Sequence, residues 1–223
     1  MPRVRGMAAA AALLLAPVFA ASITGPASAQ APSAAENPPA SDAVVAVAAW
    51  AIRSKDSGGL PFAIVDKRAA RVFVFGADGK LKGEGPALLG IAPGDRSQPY
   101  AGDRELSSIP FPERTTPAGR FLARWGPATD GKRTLWVDFS TAVSIHPLAS
   151  VLEGEHREAR LASPTPMDNR ITFGCINVTP DFFKTVVQPT FKKTGVFYVL
   201  PETLSLAQAF PGFQPPPGLL AAR

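Results

Sequence analysis

Short apolar runs rich in β-branched and aromatic residues recur along the chain, separated by turns built from Gly, Pro and polar residues. This pattern is typical of β-strands. It predicts strands at residues 62–66, 72–75, 80–90, 120–125, 134–139, 142–146 and 195–200. The sequence Gly76-Ala77-Asp78-Gly79 predicts a hairpin between the second and third of these strands. We therefore predict a mainly β fold.

Two segments have a helical pattern instead. Ser41-Asp42 is a helix start signal, and the apolar residues 43–52 predict a short helix that docks on the domain or binds a partner. Thr179-Pro180-Asp181 is a second start signal. Pro189 is expected to end or kink this second helix. Its apolar stripe, which we expect in the core, consists of Phe182, Phe183, Val186 and Val187.

Three stretches lack a sustained period. Residues 91–114 predict a long surface loop, and a loop of that length in a compact domain is often functional. Residues 147–169 are charged and interrupted by proline, and they predict a short solvated helix. Residues 201–223, which include Pro215-Pro216-Pro217, are expected to form a Pro-rich appendage outside the core.

The N-terminus has the layout of a secretory signal peptide. Arg3 and Arg5 precede an apolar run at residues 7–21, and small residues lead up to Ala29. The run is shorter than the roughly 20 apolar residues that cross a bilayer. We expect cleavage after Ala29 or Ala31, export to the periplasm or cell wall, and no membrane anchor after cleavage. The predicted organisation is a signal peptide at 1–29, a linker and short helix at 30–59, one domain at 60–200 and the tail at 201–223.

The charge of the chain is mildly basic. A formal net charge of +5 falls to +3 once Arg3 and Arg5 are removed with the signal peptide. This charge suits an acidic polymer such as a cell wall, and an ordinary soluble surface explains it equally well. The chain has no dense Lys/Arg run of the kind that binds nucleic acid, so we expect no nucleic acid partner. Nothing in the residues indicates an oligomeric state.

The candidate chemistry centres on Cys175, the single cysteine of the chain. Unpaired cysteines are more often small buried hydrophobes than nucleophiles, and a thiol attacks only as a thiolate whose proton a base has taken. Of the two histidines, His146 ends an apolar strand that can aim it into a cleft, whereas His156 lies in the charged cluster at 153–160. One Cys and two His without ligand-like spacing do not predict a metal site, and no motif implies a cofactor.

Four stretches together resemble a known family. They are residues 62–90, which read as an opening strand meander, T-P-A-G-R-F at 116–121, S-I-H at 144–146, and T-F-G-C-I-N at 172–177. In this order they resemble the L,D-transpeptidases of peptidoglycan, which have a YkuD-type catalytic domain. The resemblance covers residues 60–200. It implies a mainly β, sandwich-like catalytic domain with a helix following the cysteine.

The resemblance also implies roles for individual residues. Cys175 would be the nucleophile and His146 the general base. The amides of Gly174 and Cys175 would be candidates to stabilise an oxyanion, and Thr172 would line the site. The candidate substrate-binding residues are Asn177, Phe173 and Arg170. Thr172 and Asn177 could equally be local hydrogen-bonding partners of the backbone.

The chain departs from the family pattern in two ways. Phe173 stands where the signature usually has a histidine, and the interval between His146 and Cys175 is longer than usual. Residues 148–169 absorb the extra length and could form part of a lid. Phe173 removes a polar contact near the thiol but leaves the nucleophile and the base in place.

The implied reaction is acyl transfer between peptidoglycan stem peptides. Cys175 would attack the L,D bond of a tetrapeptide stem, and an amine of a neighbouring stem would take the acyl group. Two alternatives remain open: a hydrolase that acts on stems or crosslinks, and a non-catalytic wall-binding module. Cys175 and His146 favour catalysis, because a binding module needs neither.

Overall fold

A computed structural model of the chain describes residues 38–97, 104–105, 108–128, 131–148 and 153–217. The predicted signal peptide and most of the linker lie outside these residues. The strands are β1 (Phe62–Asp66), β2 (Arg71–Phe75), β3 (Leu81–Pro86), β4 (Leu89–Gly90), β5 (Gly119–Pro127), β6 (Arg133–Asp138), β7 (Val143–Pro147), β8 (Arg170–Thr172), β9 (Ile176–Val178) and β10 (Thr194–Val199). The helices are α1 (Asp42–Ser54), α2 (Arg157–Leu161), α3 (Pro180–Phe182), α4 (Gln188–Thr190) and α5 (Leu206–Ala209). A π-helical segment spans Phe183–Val187, and 3₁₀ turns lie at Phe111–Glu113 and Glu153–Glu155.

Eight strands form one sheet in the order β3-β2-β1-β10-β5-β6-β7-β9, and β4 pairs with β8 in a smaller sheet. The large sheet curls until its two ends meet. After β3, the amide of Ala87 donates to Ala70 O beside β2, while the next residue, Leu88, pairs with Asn177 of β9. Adjacent Cα atoms are only about 3.8 Å apart, so β2 and β9 approach each other here although five strands separate them. The predicted mainly β fold is confirmed, and the curl folds the sheet into sandwich-like layers.

Strands β1, β2 and β10 carry apolar side chains on both faces. In β1, Ala63 and Val65 pack into one core cluster with residues of β6, β7 and β9. Phe62 and Ile64 point to the opposite face and pack into a second cluster with α1. This two-sided burial explains why these strands are continuous apolar runs rather than alternating ones.

Helix α1 begins where the sequence predicted, and it covers the outer face of the sheet. The Ser41 hydroxyl caps it by accepting from the Val44 amide at 3.3 Å. Val44, Val47 and Trp50 are buried against the second cluster. This confirms that the helix docks on the domain. In the part of the chain that the structure describes, no helix has the length and apolar character needed to cross a bilayer.

The predicted third strand at 80–90 is divided in two. β3 ends at Pro86, which has no N–H to extend a ladder, and β4 begins at Leu89. The residues between them leave β2 and cross to β9. The single long strand was wrong because its second half pairs with a different part of the molecule.

The helix predicted after Thr179 is present but changes its winding. The Thr179 hydroxyl caps α3 by accepting from the Phe182 amide at 3.1 Å. Pro189 has no N–H to give to the preceding turn, and the five residues before α4 form a π-helix. Phe182, Phe183 and Val187 are buried, as predicted, and Val186 packs against the same core.

The C-terminal segment is not an appendage over its described part, and that prediction was wrong. Phe210, which follows α5, is 0% exposed and packs between Trp50 and Tyr198. The α5 helix has a capping box formed by Ser205 and Gln208. The high proline content of the segment suggested an appendage, but Phe210 completes the second core cluster.

A buried ion network ties this segment to the loop after β4. Lys67 donates from Nζ to Asp95 at 2.9 Å and to the carbonyl oxygen of Thr116 at 3.0 Å. Asp95 also accepts the backbone amides of Glu202, Thr203 and Leu204. Burial alone would raise the pKa of Asp95, but these donors hold that pKa well below its usual range. The long loop at 91–114 is therefore anchored by a buried carboxylate.

Replacing this carboxylate should destabilise the domain. We expect Asp95→Ala to lower the free energy of unfolding by about 3 to 5 kcal/mol, because Lys67 then stays buried without its closest carboxylate. The contribution of Asp95 should be complete above about pH 4 and should disappear as the pH falls further, since its folded pKa lies below the ordinary value of about 3.9. Denaturant unfolding across this pH range measures both effects.

The matched control is Asp78→Ala. Asp78 pairs with Lys82 at 3.3 Å and accepts from the Lys80 amide at 3.1 Å on the surface, so its loss should lower the unfolding midpoint much less than the loss of Asp95 does. Equal midpoints for the two variants would contradict a structural role for Asp95.

Candidate active site

Two neighbouring parallel strands bring the candidate residues together. β7 and β9 pair with Ile145 opposite Ile176 and His146 opposite Asn177. Because side chains alternate along a strand, Val143 and Ile145 enter the core while Ser144 and His146 share the other face. On the β9 side, Ile176 and Val178 likewise enter the core. Cys175 and Asn177 therefore lie on the same face as Ser144 and His146.

The turn that presents Cys175 requires a glycine. Gly174 has φ +131°, and a Cβ atom there would lie 2.8 Å from the carbonyl oxygen of Thr115. Thr172 spans the turn, since its hydroxyl accepts from the Gly174 amide at 3.1 Å and donates to the Cys175 carbonyl at 2.7 Å. The hydroxyl of Thr116 donates to the Gly174 carbonyl at 2.8 Å. Thr116 comes from the T-P-A-G segment, so two predicted motifs meet at this turn.

These contacts narrow the candidates for an oxyanion site. The Gly174 amide is occupied by Thr172 and points into the turn. That leaves the Cys175 amide as the candidate donor from this segment. An amide held by a rigid turn beside a nucleophile is the usual geometry of such a donor.

His146 makes two defined hydrogen bonds. Its Nδ1 lies 2.9 Å from the carbonyl oxygen of Pro147, which only accepts, so Nδ1 carries a proton. Its Nε2 lies 2.9 Å from Nδ2 of Asn177. Nε2 is therefore the nitrogen without a proton, and it must leave the Asn177 amide before it can take the proton of Cys175. The carbonyl of Pro147 orients the ring as a third group beside a nucleophile and a base.

The thiol and the imidazole shift each other's protonation. Burial raises the pKa of the Cys175 thiol, but hydrogen bonding to His146, the charge of the imidazole and Ser144 together lower that pKa below its usual value. Burial lowers the pKa of His146, but the hydrogen bond and charge of Cys175 raise it overall. Ser144 Oγ lies 3.6 Å from Sγ of Cys175. Taken by themselves, these two groups therefore favour a thiolate facing an imidazolium over two neutral groups.

The other predicted residues have different surroundings. The ring of Phe173 is half-buried, and the guanidinium carbon of Arg114 lies 4.1 Å from its centre. Arg170 does not join the cluster around Cys175. Its guanidinium is buried and donates to Glu202 and to the carbonyl oxygens of Lys67 and Gly90. Because these partners occupy it, we leave Arg170 out of the proposed substrate site.

Three residues that the sequence analysis did not single out contribute to the site. Ser144 could have been found, because the alternation that turns His146 out of the core also turns out Ser144. Thr116 was quoted only as part of a turn motif. Arg157 donates from Nη1 to Oδ1 of Asn177 at 2.8 Å, and no local signal marks it within the charged cluster.

The described residues contain no group of three or more His, Cys, Asp and Glu side chains that could hold a metal ion.

Comparison with known proteins gives structural likenesses only. No family model and no curated protein matches the chain. The chain is similar to an L,D-transpeptidase from Mycobacterium smegmatis, with 18% identity and a TM-score of 0.38 over 63% of this chain and 58% of that one. It is similar to the catalytic domain of an E. faecium L,D-transpeptidase, with 20% identity and a TM-score of 0.35 over 62% and 95% of the two chains.

A third likeness is to the helical cell shape determining protein of Campylobacter jejuni, with 16% identity and a TM-score of 0.41 over 65% of this chain and 49% of that one. The chain thus spans about half of the length of this protein and 58% of the Mycobacterium smegmatis enzyme. We draw no functional conclusion from likenesses at this level. The case for a function rests on the contacts of Cys175 and His146.

Proposed function

We propose that this protein is a cysteine acyltransferase of the L,D-transpeptidase type that acts on peptidoglycan stem peptides. One observation carries the proposal. A thiol with a lowered pKa and a histidine with a raised pKa lie on one face of two paired strands, and the ring of that histidine is oriented by a carbonyl. A binding module needs no such pair, and perturbed titrating groups of this kind mark nucleophilic sites.

In the first step Nε2 of His146 exchanges the Asn177 amide for the thiol and takes the thiol proton. Sγ then attacks the carbonyl carbon of the L,D bond, and the carbonyl oxygen becomes an oxyanion. We assign the Cys175 amide to this oxyanion, while Thr172 and Thr116 keep the turn rigid. A rigid donor contributes more than a mobile one, because it needs no reorganisation as charge develops.

In the second step the tetrahedral intermediate collapses. The C–N bond breaks, Nε2–H of His146 gives its proton to the departing amine, and an acyl thioester forms on Cys175. An acceptor amine then loses a proton to Nε2 and attacks the thioester, which releases the thiolate. Water in place of the amine would give a carboxypeptidase or endopeptidase by the same steps.

The substrate class rests on the resemblance of the four motifs rather than on the pair alone. Phe173 and Asn177 remain proposed substrate contacts. The guanidinium of Arg114 stacks over the ring of Phe173. Export to the periplasm or cell wall, implied by the predicted signal peptide, would bring the protein to that substrate. The proposal requires no cofactor.

The first test is covalent capture of the thiol. A carbapenem should acylate Cys175 through opening of its β-lactam, in which the C–N bond breaks and a thioester forms on Sγ. Intact-protein mass spectrometry should show one adduct with the mass of the drug on the native chain and none on Cys175→Ala. A native protein that stays unmodified while its thiol titrates freely would instead favour the wall-binding module.

A second prediction separates the two histidines. We expect His146→Ala to lower the acylation rate by about two to four orders of magnitude, the usual range for losing a positioned acid-base group. His156 has a left-handed backbone with φ 48°, so the control is His156→Asn, which tolerates that conformation. This control should stay within a few-fold of the native rate. Stopped-flow measurement of the acylation rate of both variants tests this prediction. A larger loss of rate in His156→Asn than in His146→Ala would show that His146 is not the base.

A third prediction concerns the pH at which the thiolate forms. The lowered pKa of Cys175 means that alkylation by iodoacetamide should reach half its maximal rate below the ordinary thiol value of about 8.5. Loss of the imidazole should move this midpoint upward, because burial then acts without an opposing charge. The same midpoint in native protein and His146→Ala would mean that the two side chains do not share a proton.

A further inference from the structure

Arg157 determines which way the side-chain amide of Asn177 faces. Its Nη1 donates to Oδ1 of Asn177 at 2.8 Å. A guanidinium has donors only, so the oxygen of Asn177 must face Arg157 and the NH₂ group must face the opposite side. There Nδ2 of Asn177 lies 2.9 Å from Nε2 of His146. The orientation of this amide is thus set by a residue of α2.

The direction of these donors has a consequence for His146. Nδ1 of the ring gives its proton to the Pro147 carbonyl, so Nε2 accepts from Asn177 and the ring is neutral in this arrangement. A proton on Nε2 would point at an NH₂ donor. Turning the amide over would relieve that conflict only by pointing the same NH₂ group at Arg157. The arrangement therefore opposes an imidazolium.

We propose that Arg157 is a positioning residue that, through Asn177, holds His146 in its neutral form with its Nε2 lone pair accepting from the side-chain amide of Asn177. The catalytic role of His146 in this inference rests on the proposed function. The geometry of Arg157, Asn177 and His146 does not depend on it. Arg157 belongs to the segment between His146 and Cys175. That segment then contributes a residue to the site.

Arg157 is itself held in place. Its Nε donates to Glu155 at 2.5 Å, and its side chain is 13% exposed. Arg160 fixes the same short helix from its other side by donating to the carbonyl oxygens of Glu155 and Asp168 at 2.9 and 3.0 Å. The guanidinium of Arg157 therefore acts from a defined position.

Two charged groups act on His146 in opposite directions. Burial lowers the pKa of His146, Cys175 and the Pro147 carbonyl raise it above its usual value overall, and the charge of Arg157, which pairs with Glu155, lowers it. The charged residues of the neighbouring strand β6 have other partners: Arg133 lies over Trp125, and Asp138 accepts from Ser140 and Thr141. Arg157 thus opposes the effect of the thiolate on the imidazole.

Alkylation of Cys175 by iodoacetamide as a function of pH tests the proposal. Without Arg157 the amide of Asn177 can turn and accept from Nε2–H, so the ion pair of thiolate and imidazolium becomes easier to form. We expect Arg157→Met to lower the pH midpoint of alkylation by about one unit, the size of one hydrogen bond to a charged group. Arg157→Lys, which keeps a cation and a donor, should stay nearer to the native midpoint.

Glu158→Gln is the matched control, since Glu158 belongs to the same helix, is exposed, and changes the charge of that helix by one unit. Its midpoint should equal that of the native protein. An upward shift in Arg157→Met, toward that of a free thiol, or an equal shift in Glu158→Gln would show that Arg157 does not orient Asn177 and would overturn the proposal.

Asn177→Asp keeps the proposal testable if Arg157→Met does not fold. A carboxylate accepts from Arg157 and from Nε2–H at once, so the midpoint should fall further than in Arg157→Met. An unchanged midpoint would overturn the proposal. Alkylation requires no acyl transfer, so it tests the positioning role separately from the proposed function. If the protein does not react with carbapenems or stem peptides but shows these shifts, the proposed function is wrong and the positioning role of Arg157 stands.

Discussion

The parallel pairing of β7 with β9 is the constraint on which the site depends. It places His146 opposite Asn177, and the alternation of side chains then puts Ser144 and Cys175 on the same face. The other face of both strands is buried in the main core. A register shift of one residue would turn the thiol and the imidazole into that core and bring apolar side chains out. The packing of Val143, Ile145, Ile176 and Val178 therefore fixes the geometry of the polar pair.

The buried ion network around Lys67 supports the turn that carries Cys175. Lys67 holds the carbonyl oxygen of Thr116, and the hydroxyl of Thr116 holds the carbonyl oxygen of Gly174. A chain of three hydrogen-bonded groups thus runs from a buried ammonium to the turn that carries Cys175. Buried charges are costly to keep, but these are fully partnered among the described residues, with Asp95 accepting three backbone amides from the C-terminal segment. The tail and the loop after β4 are consequently coupled to the rigidity of the turn.

The sequence was informative where its patterns were local. Six of the predicted strands lie within two residues of their observed bounds, and the caps at Ser41 and Thr179 are where the residue types indicated. The partner of each strand could not be predicted from the local pattern. Nothing in residues 80–90 indicates that their second half leaves β2 and pairs with β9. The role of Phe210 was hidden because its partners, Trp50 and Tyr198, are distant in sequence. The pairing of Cys175 with His146 came from the family resemblance. Ser144 was missed although alternation could have indicated it, and no pattern indicated Arg157.

Phe173 and the segment between His146 and Cys175 bear on the same imidazole. Phe173 stands next to the Gly174 turn and has no titrating group, so it cannot exchange a proton with the thiol. His146 is then the one titrating partner that lowers the thiol pKa, and Ser144 assists without titrating. Control of protonation must therefore act through the other contacts of His146, which are the carbonyl of Pro147 and the amide of Asn177. The segment between the two motifs supplies the cation that orients this amide. A phenylalanine beside the thiol and an arginine from the segment between the two motifs thus both leave the protonation of the thiol to a single imidazole.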